Sequence, residues 1–525
     1  MSLSVDKALR KAKKHMMAGE PTEAEELYKK VLSRFPKNRK AILGYQKLKA
    51  GITSQGASSS ELPQEKVQEL VDLYKQGQFD KVLAKVKHLT GLYPEVFIFH
   101  FLQGGSNAAL QRYKAATQSY KNAVRIKPES FEANFNLGNA LKGNGDLEAA
   151  ISSFKEALKI KPDHVDTHLN LGNTFKDKGK LEAAVHSYQQ VLKIKFDYAE
   201  AHLNMGNALK DWGKLEAAMH SYKQALKINS DFSAAYLNMG ATLMEMGEPD
   251  RARELYKKAI EIKPSYAMAY WNLSGTAASV TEAITLVEKC LQLNNNNTLA
   301  KFTLAFLNFS QGDKEQLYNL LNSPLKKHAF ARSFSWVLSL PEMPKLYFSR
   351  WQLFDAVAQE ANCSRPFYEY GVWRGYAFGY LIKFFKKGYG FDTFEGIPED
   401  WHNEKKGTYS AEGTVPNIDG GEFIVGKFEE TLPGFFNVSR PMASVINFDA
   451  DLYSSTICAL NYSKPVIDAE TVLIFDEFLM NPNWEEDEFK ALEEFCLENK
   501  LSYRVIAVSF FTKQVAVRLI RKATF

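Results

Sequence analysis

Four ten-residue stretches recur at a constant spacing and decide the fold of the first part of the chain: NLGNALKGNG at 136–145, NLGNTFKDKG at 170–179, NMGNALKDWG at 204–213 and NMGATLMEMG at 238–247. Each begins 34 residues after the previous one. In every copy an alanine and then an aromatic residue follow the first glycine at the same distances. Small residues let two helices approach, and the aromatic ring fills the space toward the next pair. The pattern therefore predicts stacked helical hairpins.

This period and its residues resemble the tetratricopeptide repeat, with copies over about 96–277 and degenerate copies before them. We predict degenerate N-terminal repeat helices over residues 1–51. Residues 52–63, ITSQGASSSELP, have the composition of a flexible linker. Residues 64–323 are expected to form an α-solenoid that ends in a C-terminal cap.

One asparagine recurs at the same position of each repeat, in the helix that lines the concave groove of this family. The five are Asn136, Asn170, Asn204, Asn238 and Asn272. An asparagine side chain can donate to and accept from a peptide backbone at once, and a similar ladder holds peptide in the O-linked N-acetylglucosamine transferase. The ladder predicts a protein or peptide partner. Plain packing within the solenoid is the alternative, because asparagine is common at this repeat position.

The composition is that of an ordinary globular protein, with 45% hydrophobic and 24% charged residues. The net charge of +5 is small and no block of like charges occurs, so nucleic acid is not expected as a partner. No stretch is long and apolar enough to span a membrane, and no secretory signal is present. The four cysteines form no CxxC pair. We therefore expect a cytoplasmic protein.

Beyond Leu340 short apolar runs alternate with helical patterns, which is typical of a βαβ sheet domain. We predict a connecting segment over 324–345 and this domain over 346–525. The last two runs are separated by a short turn and should form an antiparallel pair. The candidate strands are PFYEYG, GYGFDT, GEFIVG, SVINFD, TVLIFD, SYRVIAVS and QVAVRLI.

The first of these strands runs into a turn with two glycines, Gly371 and Gly375, which would let a ligand approach the backbone closely. The spacing is ExGxxxG from Glu369, and not the GxGxxG of a dinucleotide fold. Asp392 ends the second strand, where a carboxylate would accept hydrogen bonds from the ribose of an adenosine cofactor. This position suits both NAD and S-adenosylmethionine.

Acidic residues end two further strands, Asp449 and Asp451 in FDADLYSST and Asp476 and Glu477 in LIFDEF. Ligands of an open parallel sheet bind outside the carboxyl ends of its strands, so these carboxylates should converge. Crowded carboxylates repel unless a cation neutralises them, and oxygen ligands suit Mg²⁺ or another hard divalent cation. The alternative is that these acids cap helices or face water.

The segments EYGVWRGYA, FDTFEGIPED, GKFEETLP, FDADLYSST and FDEF resemble, in order, the macrocin-type O-methyltransferases. These enzymes methylate sugar hydroxyls with S-adenosyl-L-methionine and Mg²⁺. The resemblance implies an α/β class I methyltransferase domain with a Rossmann-like, mostly parallel seven-stranded sheet. It assigns the metal to Asp449, Asp476 and Glu477. The cofactor-binding residues that it implies are Glu369, Gly371, Trp373, Arg374, Gly375, Asp392 and Phe394.

In the mechanism implied, the ion binds an acceptor hydroxyl and Asp449 is the candidate base, with His402 as an outside alternative. Packing is as good an explanation for Trp373, Arg374, Phe394 and Trp401 as a pocket role.

Three features depart from the family. Glu477 stands where a second aspartate is usual, which puts the ion in doubt, and Tyr376 replaces a glycine. The segment between Pro398 and Gly421 is short. Because that segment helps to cover the substrate in the relatives, the identity of the acceptor cannot be inferred from the family.

The leading hypothesis is an O-methyltransferase (EC 2.1.1.-) that acts on a hydroxyl-bearing acceptor, sugar or glycan-like, with a repeat arm for a protein or peptide. Relatives often form oligomers, so the oligomeric state is left open. The alternative is an interaction adaptor with an inactive methyltransferase fold. A nicotinamide-dependent oxidoreductase is disfavoured by the missing GxGxxG and by the terminal hairpin.

Overall fold

The computed structural model of the protein describes residues 5–17, 20–36, 38–49, 64–402, 404, 406–509 and 511–521. The chain forms two compact units, Met1–Ile160 and Lys161–Phe525. The division falls between two repeats, so the predicted boundaries at 323 and 345 both lie inside the second unit. The predicted linker at 52–63 lies outside the described residues.

The described part of the first unit is helical. Its helices are α1 Val5–Met17, α2 Pro21–Arg34, α3 Arg39–Lys49, α4 Gln64–Lys75, α5 Phe79–Leu92, α6 Phe97–Ala109, α7 Tyr113–Ile126, α8 Phe131–Gly143 and α9 Leu147–Ile160. Within the pair α8 and α9, a Cβ at Gly138 would lie 2.6 Å from the Phe154 ring. The glycine and the aromatic residue of the repeat pattern therefore meet where the two helices cross, as the sequence predicts.

The second unit begins with more helices of the same kind. They are α10 Val165–Asp177, α11 Leu181–Ile194, α12 Ala199–Asp211, α13 Leu215–Ile228, α14 Ser233–Glu245, α15 Pro249–Ile262, α16 Ala267–Ser274, α17 Val280–Leu293, α18 Thr298–Ser310 and α19 Glu315–Leu321, followed by a 3₁₀ turn at Pro324–Lys327. The glycine-to-ring contact recurs, because a Cβ at Gly206 would lie 2.5 Å from the Tyr222 ring.

Strands and helices alternate in the rest of the second unit. The strands are β1 Lys345–Tyr347, β2 Phe367–Tyr370, β3 Gly388–Asp392, β4 Gly421–Val425, β5 Val445–Phe448, β6 Val472–Phe475, β7 Leu501–Ser509 and β8 Val515–Arg521. The helices are α20 Ala329–Ser339, α21 Arg350–Glu360, α22 Tyr376–Leu381, α23 Phe428–Phe435, α24 Tyr453–Ser463 and α25 Glu488–Glu498, with 3₁₀ turns at Lys464–Val466 and Trp484–Glu486.

All eight strands form one mixed sheet in the order β1-β7-β8-β6-β5-β2-β3-β4. Strands β2 to β6 pair in parallel, and β8 runs antiparallel to both of its neighbours, β6 and β7. Every residue of β2, β5 and β6 is buried, which explains their unbroken apolar runs in the sequence.

The seven predicted strands are all present as β2 to β8, and the predicted antiparallel pair of the last two is confirmed. The prediction of a mostly parallel sheet of seven strands was wrong in one respect. Lys345–Tyr347 adds an eighth strand that pairs in parallel with β7 at the edge of the sheet. This strand begins at Lys345, the last residue of the segment that we expected to be a connector.

The repeats of the second unit pack directly on the sheet domain. The indole nitrogen of Trp351 donates to the backbone oxygen of Met244 at 2.6 Å, and the side-chain amide of Gln352 donates to the backbone oxygen of Ala277 at 3.1 Å. The rings of Trp271 and Phe511 lie 4.9 Å apart. The repeats were predicted to form a separate arm, but those from Lys161 onward belong to the same compact unit as the sheet.

Candidate active site

A cavity of about 310 Å³ lies at the carboxyl ends of β2, β3, β5 and β6. These four strands are neighbours in the sheet, in the order β6-β5-β2-β3. From β2 the chain proceeds to β3 and β4 on one side, and it then returns to form β5 and β6 on the other side of β2. The edge between β2 and β5 is therefore the switch point, where open sheets bind ligands. The volume falls in the range of small-molecule sites.

The turn that follows β2 is held by close backbone contacts. Gly371 has a φ of +87°, and a Cβ there would lie 1.9 Å from the backbone oxygen of Asp449, which follows β5. Only glycine fits this position. The predicted importance of Gly371 therefore has a second cause, since the glycine lets the ends of two strands approach each other as well as lining the cavity.

Asp392 organises the same turn. One carboxylate oxygen of Asp392 accepts from the backbone nitrogens of Val372 and Trp373, both at 2.7 Å, and the other accepts from the backbone nitrogen of Phe394 at 2.7 Å. A carboxylate has about four acceptor positions, so one remains beyond these three bonds. Asp392 also lines the cavity, and its predicted contact with a ribose stays a prediction.

Of the seven predicted cofactor residues, Gly371, Trp373 and Asp392 line the cavity. The other four lie elsewhere. Glu369 is fully buried in β2 and faces Asn447 of β5 in the sheet register. Arg374 approaches the backbone oxygen of Trp212 in the repeats at 3.5 Å.

Gly375 packs against Pro416 and Ile418, and Phe394 is buried against Phe423 in the core. Phe394 and Arg374 therefore contact other parts of the chain, and their predicted roles at the cofactor stay predictions.

The four predicted acids, Asp449, Asp451, Asp476 and Glu477, all line the cavity. Asp476 is the most deeply buried, with 2% of its surface exposed. Burial raises the pKa of Asp449 well above its usual range, and the nearby charge of Asp476 raises it further. The pKa of Asp451 is also raised well above its usual range, by burial and by the charge of Glu477. The structure thus brings together the carboxylates that the strand ends predict.

Two cationic side chains form ion pairs with these acids. Arg350, the first residue of α21, donates to one carboxylate oxygen of Asp476 at 2.9 Å and lies 3.7 Å from a carboxylate oxygen of Asp449. Lys513, in the turn between β7 and β8, donates to Glu477 at 2.7 Å. Neither cation was singled out from the sequence, because each is distant from its partner along the chain and no local pattern marks it.

The predicted metal ligands are therefore already held by groups of the chain itself. In the part of the chain that the structure describes, no group of three or more His, Cys, Asp or Glu side chains is arranged to hold a metal ion. The second oxygen of Asp476 accepts from the side-chain amide of Gln514 at 2.7 Å, and Glu477 also accepts from the amide of Asn481 at 2.7 Å. As arranged, these residues do not fit a divalent ion, and the metal stays a prediction.

The repeats contribute a residue to the cavity wall. Glu245, the last residue of α14, lines the cavity and forms an ion pair of 3.3 Å with Lys210, near the end of α12. Burial raises the pKa of Glu245, while the charge of Lys210 lowers it. Nothing in the sequence marks this residue as part of the site, because the repeats were expected to form a separate arm.

Backbone strain also concentrates here. Three residues that line the cavity have positive φ values: +51° at Trp373, +61° at Tyr409 and +59° at Asp451. Residues other than glycine rarely adopt such backbone angles. Such strain costs about 1–3 kcal/mol per residue and clusters at functional sites.

The two candidate bases lie in different surroundings. Asp449 lines the cavity, whereas His402 lies outside the lining and its ring nitrogen bonds a carboxylate oxygen of Asp487 at 2.8 Å. Trp401, the residue before it, lines the cavity and donates to the other oxygen of Asp487 at 3.3 Å. His402 therefore helps to fix the wall that carries Trp401.

Part of the asparagine ladder bonds within the solenoid. The amide of Asn238 donates to the side-chain oxygen of Asn207 in the preceding repeat at 2.7 Å, and that oxygen also accepts from the hydroxyl of Tyr222 at 2.9 Å. Asn204 makes a longer contact of the same kind, 3.4 Å, with Asn173. All five ladder residues are partly buried. Asn136 belongs to the first unit and the other four to the second.

No helix in the described ranges is both long and apolar enough to cross a membrane.

Comparison with known families bears on the repeats. A family model described as TPR repeat matches residues 107–145, 143–179, 172–213 and 206–247, and one described as tetratricopeptide repeat matches residues 233–266. The chain contains tetratricopeptide repeats. The resemblance that the 34-residue period indicated is thus confirmed, and tetratricopeptide repeats suggest an arm for protein interaction.

Among the solved structures that are similar to this chain are the following three. MamA is 30% identical, and the match covers 30% of this chain and 95% of MamA with a TM-score of 0.28. YrrB, described as a TPR protein with an unusual peptide-binding site, is 20% identical, with 35% of this chain and 97% of YrrB covered and a TM-score of 0.29. The C-terminal part of a TPR repeat-containing protein from Cytophaga hutchinsonii is 16% identical, with 45% and 99% covered and a TM-score of 0.38. No curated protein matches the chain.

Proposed function

We propose that residues 346–525 form an S-adenosylmethionine-dependent methyltransferase domain that acts on a hydroxyl of an acceptor, sugar or glycan-like, and that the repeats bind a protein or peptide. The observation that carries the proposal is the cavity at the switch point of the sheet. The glycine turn at Gly371, the carboxylate of Asp392 and the acids after β5 and β6 all line it. The family resemblance predicts that these groups, which follow the ends of four strands, lie together.

The sheet supports the same class of fold. Seven of its strands are those that the resemblance requires, six of them parallel to one another and the last, β8, antiparallel. The terminal hairpin of β7 and β8 is the feature that argued against a nicotinamide-dependent oxidoreductase, together with the missing GxGxxG.

One buried donor in the wall fits a cofactor. The indole nitrogen of Trp373 is buried and has no hydrogen-bond partner among the described residues, although the residue lines the cavity. A buried donor without a partner costs about 1–3 kcal/mol, so a bound acceptor group would be stabilised there. Lys427 and Phe428 line the cavity beyond β4, where an aromatic face and a cation could contact an adenosine.

When bound, S-adenosylmethionine supplies a methyl group on a positively charged sulfur. Asp449 would accept the proton of the acceptor hydroxyl when the methyl group passes from sulfur to that oxygen, with the electrons of the carbon–sulfur bond remaining on sulfur. The raised pKa of Asp449 makes it a stronger base than an exposed aspartate. Arg350, 3.7 Å from Asp449, stabilises negative charge that develops on the acceptor oxygen.

The repeats take part in the same site. Glu245 of α14 lines the cavity, and Glu216 of α13 accepts from the hydroxyl of Tyr376 at 3.0 Å. A partner bound along these repeats would therefore lie close to the place of reaction. The asparagine ladder remains our candidate for holding peptide, with the bonds from Asn204 and Asn238 favouring the packing role at those two positions.

Calorimetric titration with S-adenosylhomocysteine tests the proposal. We expect saturable binding by the full chain, and about tenfold weaker binding by Trp373→Phe, which removes the indole donor together with part of the ring. Trp336→Phe is the matched control, because Trp336 packs on Phe478 and Phe489 outside the cavity. If the wild-type chain bound neither S-adenosylhomocysteine nor NAD, the adaptor with an inactive fold would be the better description.

A further inference from the structure

The cations that meet the acidic cluster carry the same total charge as the ion that the family resemblance predicts. Arg350 and Lys513 together supply two positive charges to the set Asp449, Asp476 and Glu477. They come from two separate elements, the start of α21 and the turn between β7 and β8. A divalent ion added to this arrangement would meet two fixed cations at short range, which opposes its binding.

Both carboxylate oxygens of Asp476 have a hydrogen-bond partner in the chain without an ion. Only 3% of its side chain is exposed; one oxygen is bonded by Arg350 at 2.9 Å and the other by Gln514 at 2.7 Å. Gln514 is itself fully buried and also donates to the backbone oxygen of Asp476 at 3.3 Å. A metal ion that bound the oxygen held by Arg350 would have to displace a charged partner from a nearly buried carboxylate.

The departure of Glu477 from the family's second aspartate has a structural reason. The carboxylate of Glu477 is bonded by Lys513 at 2.7 Å and by the amide of Asn481 at 2.7 Å. Lys513 also donates to the side-chain oxygen of Asn481 at 2.8 Å, which closes a three-membered network. The longer side chain of glutamate places the carboxylate in this network.

We propose that Arg350 and Lys513 are built-in counter-ions that occupy the place of a divalent cation, so that the cavity binds its cofactor without a metal. The inference deepens the proposed function and rests on it for the role of the cavity. In such a site the guanidinium of Arg350 takes over the electrostatic part of the ion's work, because it lies between Asp476 and Asp449.

Titration with Mn²⁺ alone, followed by electron paramagnetic resonance of the free ion, tests this directly. The wild-type chain should show no saturable binding up to about 1 mM. Lys513→Gln, at a side chain that is 37% exposed, and the double variant Arg350→Gln/Lys513→Gln should gain a saturable site. Its dissociation constant should be about 0.1 mM or lower, tenfold below the wild-type limit, and lowest in the double variant. Lys427→Gln is the matched control, since it removes a cavity cation whose ion pair is with Glu430 and not with these acids.

Two results would overturn the inference. One is binding of one Mn²⁺ per wild-type chain that Asp476→Asn abolishes. The other is a folded Lys513→Gln or double variant that gains no Mn²⁺ binding over the Lys427→Gln control, and the single variant decides alone where the double variant does not fold. S-adenosylhomocysteine titrated with and without EDTA is read separately. We expect equal dissociation constants, whereas no binding in either condition would remove the proposed function and leave the Mn²⁺ result standing.

Discussion

The indole nitrogen of Trp351 donates a hydrogen bond of 2.6 Å to the backbone oxygen of Met244, and this bond ties the sheet domain to the end of α14. Met244 is followed by Glu245, the residue through which the repeats reach the cavity. The next turn also packs on the same ring, since a Cβ at Gly247 would lie 3.4 Å from Trp351. One contact thus sets the position of a cavity residue that belongs to the repeats.

The packing of the repeats against the sheet can be tested by comparing the stability of variants at two equivalent glycines. Gly179 and Gly213 occupy the same turn of successive repeats, with φ values of +74° and +71°. A Cβ at Gly179 would meet nothing within 4 Å, whereas at Gly213 it would lie 2.2 Å from the Trp373 ring. We expect Gly179→Ala to cost about 1 kcal/mol of unfolding free energy and Gly213→Ala a further 1–3 kcal/mol or so.

Denaturant unfolding of both variants gives the comparison, because the backbone penalty is shared and cancels. Equal losses in the two variants would mean that the repeats and the sheet do not press on each other at Trp373.

The sequence predicted much of this domain because its signals are local. Each of the strands β2 to β8 is an apolar run bounded by turn residues, and parallel strands bring their carboxyl ends to one edge. From this rule alone Asp449 and Asp476 could be expected at one site. The repeats were equally accessible, because a period of 34 residues does not depend on distant contacts.

The rest depends on contacts between distant segments. Arg350 is 126 residues from Asp476, and Glu245 reaches the cavity only because the repeats dock on the sheet. Strand β1 has three residues, too few for a periodic pattern, and forms by pairing with β7. Glu369 was assigned to the cofactor from a motif position, but its side chain is fully buried and does not line the cavity.

The buried carboxyl of Glu369 should make stability depend on pH. Burial raises its pKa well above the ordinary 4.5; Asp476 and Asp392 add to the rise, whereas Asn447 and Arg350 oppose it. The folded state then holds the proton more tightly than the unfolded state. The unfolding free energy therefore falls as pH rises from about 4.5 to the raised pKa, by as much as about 1.4 kcal/mol per pH unit.

Glu369→Gln cannot titrate and should remove this loss. We expect the variant to be more stable than wild type at about pH 8 and equally stable at about pH 4, measured by denaturant unfolding across the range. Glu422→Gln, at a half-exposed position of the edge strand β4, is the control and should leave the pH dependence unchanged. A constant difference between Glu369→Gln and wild type at all pH values would contradict the assignment.

The asparagine-to-tyrosine bonds of the repeats should carry measurable stability. The side-chain oxygen of Asn173 accepts from the hydroxyl of the fully buried Tyr188 at 2.7 Å and lies 3.4 Å from the amide of Asn204. Asn173→Ala should lower the unfolding free energy by about 1–3 kcal/mol, because a buried hydroxyl loses its acceptor. Asn296→Ala, in an exposed turn, should change it by less than about 0.5 kcal/mol. Matching losses would argue against a locking role for Asn173.

The pairing of Arg350 with Asp476 should appear as a large coupling energy. Arg350→Gln leaves the nearly buried carboxylate of Asp476 with only a neutral donor, Gln514, so we expect a loss of about 3–5 kcal/mol. Asp476→Asn alone leaves Arg350 beside Asp449 and should cost less, since one partner remains. In the double variant both charges are gone, and most of the stability should return. Chemical unfolding of the four proteins completes the cycle, and additive losses would mean that the two side chains do not depend on each other.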